Sequence, residues 1–283
     1  MGTPWVERLS FWLLRLATYA IVAIVGYIVF DILYHGIGAI SWEFLTAYPR
    51  RGGAEGGIFP AIVGTLCLAL GTIVIALPLG MACAIYLSEY AADSRFTRTV
   101  RLAIITLAGV PSIVFGLFGL GLFVLFLNFG VSILAGSLTL ACMVLPIIIV
   151  ASEEALRAVP RSFREGSLAL GATKWETIWK NVLPYAVPGM MTGAILGIGR
   201  AAGETAPILF TAAALYAPRL PSGIFDDVMA LPYHLYALAT QHPDIDKVRP
   251  LQYGTALVLL LLVLGINLAA ILLRSRFRKR YRW

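Results

Sequence analysis

Two ionisable side chains stand inside an otherwise apolar stretch of the sequence, where burying a charge is costly. Arg200 and Glu204 interrupt a run of mainly apolar residues over 185–213. Side chains four residues apart lie on the same face of a helix, so the two are expected to form an ion pair. Such an arginine attracts anions, and a charged residue within a membrane span is by default a candidate functional site. The alternative is structural, with the two charges only neutralising each other against a neighbouring helix.

The residues around this pair favour a broken helix and a cavity at the same level. Thr205 and Pro207 follow Glu204, and a proline inside a helix removes a hydrogen bond and bends or ends the helix. The freed backbone groups need water or polar neighbours, which a translocation pathway would provide. Pro111 and Ser112, in an earlier apolar run, are candidates for the opposite wall of that pathway. Three glycines before the pair have the spacing that permits close helix approach: Gly189, Gly193 and Gly197.

The composition indicates an all-α integral membrane protein. Of the 283 residues, 59% are hydrophobic and 13% are charged, and the mean hydropathy is +0.85. Soluble domains carry about 25% charged residues, which excludes an ordinary soluble domain. A disordered chain would need many charges and few apolar residues. Cys67, Cys83 and Cys142 stand far apart in apolar runs, so neither a disulfide framework nor a metal site is expected.

Charge-free apolar runs predict a bundle of six transmembrane helices. The run over 102–152 would form a helix roughly 75 Å long, too long for one crossing. We therefore expect it to fold back at Asn128-Phe129-Gly130 and to supply two spans. The six predicted spans are 11–34, 56–88 after a short lead-in, two within 102–152, 185–213 and 253–273.

The distribution of basic residues predicts that both termini are cytoplasmic. With the N-terminus inside, 16 of the 22 Lys and Arg residues fall in inner segments and five in outer segments. Positive charge is retained on the cytoplasmic side during insertion. The basic tail, 276–283, would then bind anionic lipid rather than nucleic acid.

No motif for covalent or nucleotide chemistry occurs in the sequence. It contains no G-x-x-x-x-G-K-[ST] and no H-E-x-x-H pattern. We therefore expect no catalytic residue, no metal and no cofactor on this chain. An intramembrane enzyme using Glu204 would need a second catalytic group at the same depth, and none is apparent. Energy for uphill movement must come from another chain or from an ion gradient.

The loop before the fifth span, 153–184, has the pattern of two short helices. Gly171 is placed to end the first helix, and Leu183-Pro184 to end the second. Two capping-box patterns predict the helix starts: Ser162 with Glu165, and Thr173 with Glu176.

This loop resembles the cytoplasmic loop of ABC-importer permeases, whose pattern is E-A-A, three residues, G, nine residues and I-x-L-P. The matching residues are Glu165-Gly166-Ser167, Gly171 and Leu183-Pro184. Gly166 and Ser167 replace the alanines of the pattern, and Asn181 replaces its isoleucine. In that family the loop is a coupling helix seated on an ATPase subunit. The residues from Gly199 to Pro207 further resemble the fifth-span motif of phosphate-importer permeases.

The resemblance covers about 58–275, between an N-terminal part, 1–57, and the tail. It implies a type I (MetI-like) ABC importer permease that has no enzymatic activity of its own. Such a subunit would carry inorganic phosphate through a bacterial or archaeal cytoplasmic membrane by alternating access. The implied partners are a second permease subunit, an ATPase dimer that binds ATP and Mg, and an extracytoplasmic phosphate-binding protein. An ABC permease for sulfate or molybdate and a channel without an ATPase stay open as alternatives.

Overall fold

The computed structural model describes residues 4–50, 53 and 55–280, and most of these are helical. A pair of two-residue antiparallel strands, β1 (Pro49–Arg50) and β2 (Glu55–Gly56), accompanies the helices. In chain order the helices are α1 (Pro4–Gly36), α2 (Trp42–Thr46), α3 (Phe59–Ile85), α4 (Arg95–Leu107), α5 (Ser112–Gly119), α6 (Ile133–Ala158), α7 (Arg161–Ala169), α8 (Lys174–Glu176), α9 (Leu183–Gly203), α10 (Ala206–Thr211), α11 (Leu231–Thr240) and α12 (Ile245–Arg280). Three π-helical segments extend this set: Tyr86–Tyr90 after α3, Leu120–Phe126 after α5 and Thr177–Val182 between α8 and α9.

Five of the helical segments are long and apolar enough to cross a membrane. They are Glu7–Ala39, Phe59–Tyr90, Ile133–Ala158, Lys174–Gly203 and Ile245–Phe277. A bent pair, Arg95–Leu107 with Ser112–Phe126, supplies the sixth span if its two halves cross together. The six segments follow the order of the six predicted spans, so the predicted all-α membrane bundle is confirmed. Part of the predicted basic tail, 281–283, lies outside the described residues.

Span three begins earlier than the charge-free run and is sharply bent. Helix α4 starts at Arg95, and its axis meets that of α5 at 103°. The bend falls at Pro111, which has extended backbone angles and precedes the first residue of α5. The predicted turn between spans three and four is confirmed, because Asn128 and Gly130 both have positive φ, at 56° and 67°.

Span five differs from its prediction at its start. Leu183-Pro184 does not end the preceding helix, because α8, the π segment and α9 form one helical segment, Lys174–Gly203. The wide π turn places a bond from the Leu183 amide to the Ile178 carbonyl and accommodates the donorless Pro184. At the other end the break expected near Pro207 is present, since α9 stops at Gly203 and α10 starts at Ala206.

The core is built on α6, which packs between α3 and α9. The α6–α9 contact depends on small residues, since a Cβ added at Gly189 or Gly193 would lie 2.6 Å from the Cβ of Ala155 or Ala151. Such close approach gives dispersion contact between backbones, which is the main source of helix association in lipid. By contrast, the apolar stretch of α1 is exposed along its length, and Gly36 near its end contacts α12.

Replacing Gly193 tests this close packing. In Gly193→Val the added methyl groups overlap Ala151, so we expect a loss of about 1–3 kcal/mol in unfolding free energy. Unfolding by SDS in mixed micelles measures the loss. The matched control is Gly265→Val on α12, where an added Cβ would contact nothing within 4 Å. Equal stability of the two variants would contradict the packing described above.

Candidate functional site

The first helix of the loop, α7, begins two residues before the start that a capping box at Ser162 predicts. Pro160 is its N-cap, and no side chain caps the helix, so the capping box predicted at Ser162 is wrong. Pro160 already holds its φ at −55°, which prepares the chain for a helix without side-chain help. Ser162 and Glu165 therefore lie within α7, exposed on its surface.

The end of α7 confirms the predicted role of Gly171. Its φ is +85°, a conformation that glycine adopts without strain. The Gly171 amide donates to the Leu168 carbonyl at 3.0 Å, and the Ala172 amide donates to the Ser167 carbonyl at 3.2 Å. These two bonds form a complete Schellman motif, which satisfies the last carbonyls of the helix. Leu170, just before the glycine, is 90% exposed.

The second capping box is confirmed at the start of α8. The Glu176 amide donates to Thr173 Oγ1 at 3.2 Å, and the Thr173 amide donates to Glu176 Oε2 at 3.0 Å. The reciprocal pair satisfies two amides that a helix start leaves unpaired. The chain between α7 and α8 is therefore short and is bounded by a Schellman motif and a capping box.

The two polar departures from the loop pattern contact each other. Ser167 is buried, and its Oγ accepts hydrogen bonds from Asn181 Nδ2 at 2.8 Å and from Thr177 Oγ1 at 2.9 Å. An alanine facing an isoleucine would make an apolar contact at this place. Here a buried polar cluster replaces that contact and joins α7 to the start of span five. The outer surface of α7 is open, and an added Cβ at Gly166 would contact nothing within 4 Å.

The structure joins Arg200 and Glu204 at the end of span five. Arg200 Nε donates to Glu204 Oε1 at 3.1 Å, with the side chains 36% and 19% exposed. Arg200 occupies the last turn of α9, and Glu204 caps that helix with extended backbone angles. Within the described part of the chain, the Nη1 and Nη2 groups of Arg200 donate no hydrogen bond. Two of the three guanidinium nitrogens are therefore available to another acceptor.

A helix break follows the pair, as the sequence predicts. Thr205 lies between α9 and α10, and its side chain makes no capping bond. Pro207 stands in the first turn of α10, where a missing amide costs nothing. A crevice of about 10 Å³ adjoins Glu204, between the side chains of Leu68, Leu140 and neighbouring residues. This volume has room for a single water at most, so the predicted cavity is closed in this conformation.

Pro111 and Ser112 are near this region but do not contact the pair directly. Both lie at the bend before α5, and α5 packs against α10. A Cβ added at Gly116 of α5 would lie 2.9 Å from the Ala206 carbonyl oxygen. Among the described residues, Ser112 forms no hydrogen bond with Arg200 or Glu204. The assignment of Pro111 and Ser112 to the pathway stays a prediction.

Sequence reasoning missed Asn267, a polar residue of α12 beside the same turn of α9. A Cβ added at Gly199 would lie 2.9 Å from both amide atoms of Asn267, so a larger residue there would displace the Asn267 amide. Asn267 Oδ1 is buried and has no hydrogen-bond partner among the described residues. The signal was available, because Asn267 is a lone amide within the apolar run of the sixth span.

Helix α11 and the segments around it lie between α10 and α12 in the chain. His234 of α11 is buried, and burial lowers the pKa of His234 to about 4. Its imidazole is therefore neutral at physiological pH. A cleft of about 400 Å³ beside it is lined by Tyr216, Gln241, His242 and other side chains.

Comparison with known proteins identifies the family. Residues 76–283 match the family described as the binding-protein-dependent transport system inner membrane component. The chain belongs to this family. It is thus a multi-pass membrane component of a transport system, and the resemblance found in the loop is confirmed.

Relatives cover most of this permease. It is 34% identical over 284 residues to the probable ABC transporter permease protein YqgI of Bacillus subtilis (strain 168), with 95% of each chain covered. It is 40% identical over 228 residues to the phosphate transport system permease protein PstA 1 of Mycobacterium tuberculosis (strain ATCC 25618 / H37Rv), with 80% of this chain and 72% of the relative covered. A probable phosphate transport system permease protein PstA of Methanocaldococcus jannaschii is 38% identical over 213 residues, covering 75% and 74%.

Solved structures confirm the permease fold. The MetNI methionine ABC transporter, in inward facing conformations, has a chain with a TM-score of 0.59 at 21% identity, covering 78% of this chain and 94% of that one. A bacterial ABC transporter involved in the import of the acidic polysaccharide alginate has a TM-score of 0.65 at 15% identity, covering 96% and 98%. At these identities the likeness is one of fold, and it confirms the predicted MetI-like architecture.

The Schellman end of α7 leads to a prediction for Gly171. In Gly171→Val the branched side chain opposes the positive φ, which costs about 1–2 kcal/mol, so the end of α7 should open. Hydrogen–deuterium exchange of 161–170 should become faster. The control is Gly166→Val, at a helical position with open space and ordinary φ, where exchange should stay unchanged. Equal exchange in the two variants would contradict the assigned role of Gly171.

Proposed function

We propose that this chain is the permease subunit of an ATP-driven phosphate importer, which moves inorganic phosphate into the cytoplasm by alternating access. The observation that carries the proposal is the Arg200–Glu204 pair, in which Arg200 Nε is bonded and the other two guanidinium nitrogens have no partner among the described residues. The relatives named as phosphate transport permeases support the choice of substrate. The translocation pathway would include Arg200, Glu204, Thr205, Pro111 and Ser112.

The chemistry of the pair suits a transported oxyanion. The planar guanidinium can bind two phosphate oxygens at once through its free nitrogens. Glu204 holds Arg200 when no anion is present, which avoids an unpaired charge at this depth. Because the anion and the carboxylate repel each other, Glu204 also prevents the anion from binding too tightly to leave.

Partner chains would supply the energy for transport and deliver the phosphate. The exposed Leu170 and the open surface of α7 offer a docking site for a cytoplasmic ATPase that binds ATP and Mg. A second permease subunit would complete the pathway, and an extracytoplasmic phosphate-binding protein would dock on 216–252. No bond is made or broken on this chain. The permease domain would span 58–275, and the basic tail would lie on anionic lipid at the cytoplasmic surface.

Substitution of the pair tests this function. In vesicles that contain the assembled transporter, we expect Arg200→Gln to abolish uptake of labelled phosphate, because it removes the positive charge that attracts the anion. Glu204→Gln should keep measurable uptake. The double variant should fold well, since no charge is left unpaired, yet remain inactive. The control is Arg98→Gln, whose partner Asp93 lies in an exposed pair.

Three outcomes would contradict the proposal in different ways. If the double variant transports phosphate, the charges of Arg200 and Glu204 serve only to neutralise each other. Uptake of sulfate or molybdate in preference to phosphate by the unmodified protein would assign another oxyanion. Phosphate flux at the same rate without ATP would indicate a channel.

The cytoplasmic position of both termini has its own test. In a variant without the three native cysteines, Ser275→Cys should react with an impermeant thiol reagent only in inverted vesicles. Gly223→Cys, in the loop between α10 and α11, should react only from the opposite side. Gly223 is a suitable position because an added Cβ contacts nothing within 4 Å. Reaction of both cysteines from one side would refute this topology.

A further inference from the structure

One side chain of α7 connects that helix to two membrane spans. Arg164 Nε and Nη2 donate to the two carboxylate oxygens of Glu89, at 3.1 and 2.6 Å. Glu89 lies in the π-helical end of span two. The same guanidinium donates through Nη1 to the Val159 carbonyl at 2.8 Å and through Nη2 to the Leu156 carbonyl at 2.9 Å. Leu156 is in the last turn of span four, and Val159 is the residue that caps it.

The contact is sheltered and has a fixed geometry. The Glu89 side chain is 7% exposed and the Arg164 side chain 20% exposed. A two-point bond between guanidinium and carboxylate holds both planes in one orientation, which a single bond does not do. The positive charge also lies at the carboxyl end of α6, where unpaired carbonyls and the helix dipole favour a cation. The two buried charges are therefore paired with each other.

Other contacts also hold α7 against the bundle. Ser167 is its buried residue, and the hydrogen bonds of Ser167 lead to span five. Phe163 packs edge-on against Tyr185, also of span five, with ring centroids 4.9 Å apart, and borders an apolar cluster that includes residues of spans two and four. Span four is joined to α7 directly along the chain, because only Val159-Pro160 separate the two helices. Within the described residues, the hydrogen bonds from α7 side chains to span two all come from Arg164.

We propose that the Arg164–Glu89 pair transmits movement of α7 to span two, and that Arg164 is therefore a positioning residue for energy coupling. The inference rests on the proposed function, in which an ATPase moves α7. When α7 shifts, the two-point bond moves the end of span two through Glu89, while the two carbonyl bonds keep the guanidinium at the end of span four. Without this bond, span two no longer follows α7, so ATP is consumed with little transport.

A neighbouring cluster shows that the bundle does not need Arg164 to hold spans two and four together. Arg101 of span three donates to Glu153 Oε1 at 2.8 Å and to the Leu87 carbonyl at 2.7 Å. Arg157 donates to the same Glu153 oxygen at 2.6 Å. This cluster joins spans two, three and four without α7. Loss of the Arg164 bonds should therefore release span two from α7 and leave the bundle folded.

The experiment measures ATP hydrolysis and phosphate uptake together in vesicles that contain the whole transporter. For Arg164→Gln we expect hydrolysis close to that of the unmodified protein and a fall of about tenfold in phosphate moved per ATP, within the usual range of coupling between sites. Glu89→Gln should act in the same direction. Arg164→Lys should recover part of the phosphate moved per ATP, because lysine keeps the positive charge but cannot make the two-point bond to the Glu89 carboxylate.

The matched control is Arg98→Gln, which breaks an exposed pair with Asp93 whose two side chains are each 70% exposed. It should leave phosphate moved per ATP unchanged. An unchanged ratio in Arg164→Gln would overturn the inference. A proportional fall of hydrolysis and uptake, with less assembled transporter, would also overturn it, because that result indicates a structural role.

A distance measurement decides the inference independently of the substrate. Spin labels at Ser162→Cys on α7 and Tyr86→Cys on span two, both at exposed positions, report the separation of these elements. With Arg164 present, the separation should be the same with and without ATP, and in Arg164→Gln it should change on ATP addition. If the unmodified protein takes up no phosphate, the proposed function fails, yet this comparison still applies. Identical responses with and without Arg164 would refute the link.

Discussion

A charge or a backbone carbonyl placed in lipid without a partner destabilises the whole protein, and this constraint governs the chain wherever its helices end or break. Arg101 and Arg164 each combine a carboxylate with the free carbonyls of a helix end. Arg200 pairs with the residue that caps its own helix. Three arginines thus lie where helices of the bundle end. Irregular backbone at membrane depth is tolerated only where protein or water satisfies it.

The same constraint distinguishes fully bonded arginines from a partly bonded one. The Glu89 carboxylate accepts two bonds from Arg164, and that guanidinium also binds two carbonyls, so little hydrogen-bonding capacity is left. The Arg200 guanidinium makes one bond. A fully bonded arginine fixes the elements around it, whereas a partly bonded one can exchange its partner. Asn267 lies beside Gly199, in the same turn of span five as Arg200, and its Oδ1 has no hydrogen-bond partner among the described residues.

The features that could be predicted from the sequence are those decided by neighbours along the chain. The Arg200–Glu204 contact follows from a spacing of four residues. The end of α7 follows from Gly171, and the start of α8 follows from the Thr173 capping box. Pro184 was misread because a π turn, which has no sequence signature of its own, accommodates it. Arg164 was missed because its partner Glu89 is 75 residues away, and only the packing of spans two and four brings them together.

The cluster of Ser167, Thr177 and Asn181 has a consequence for how this loop can evolve. An asparagine facing an alanine would lose the Ser167 acceptor of its amide, whereas a serine facing an isoleucine would keep the hydrogen bond from Thr177. The two single exchanges therefore differ in their cost. Positions 167 and 181 are interdependent, and the less destabilising route from the polar to the apolar version of the loop replaces Asn181 before Ser167.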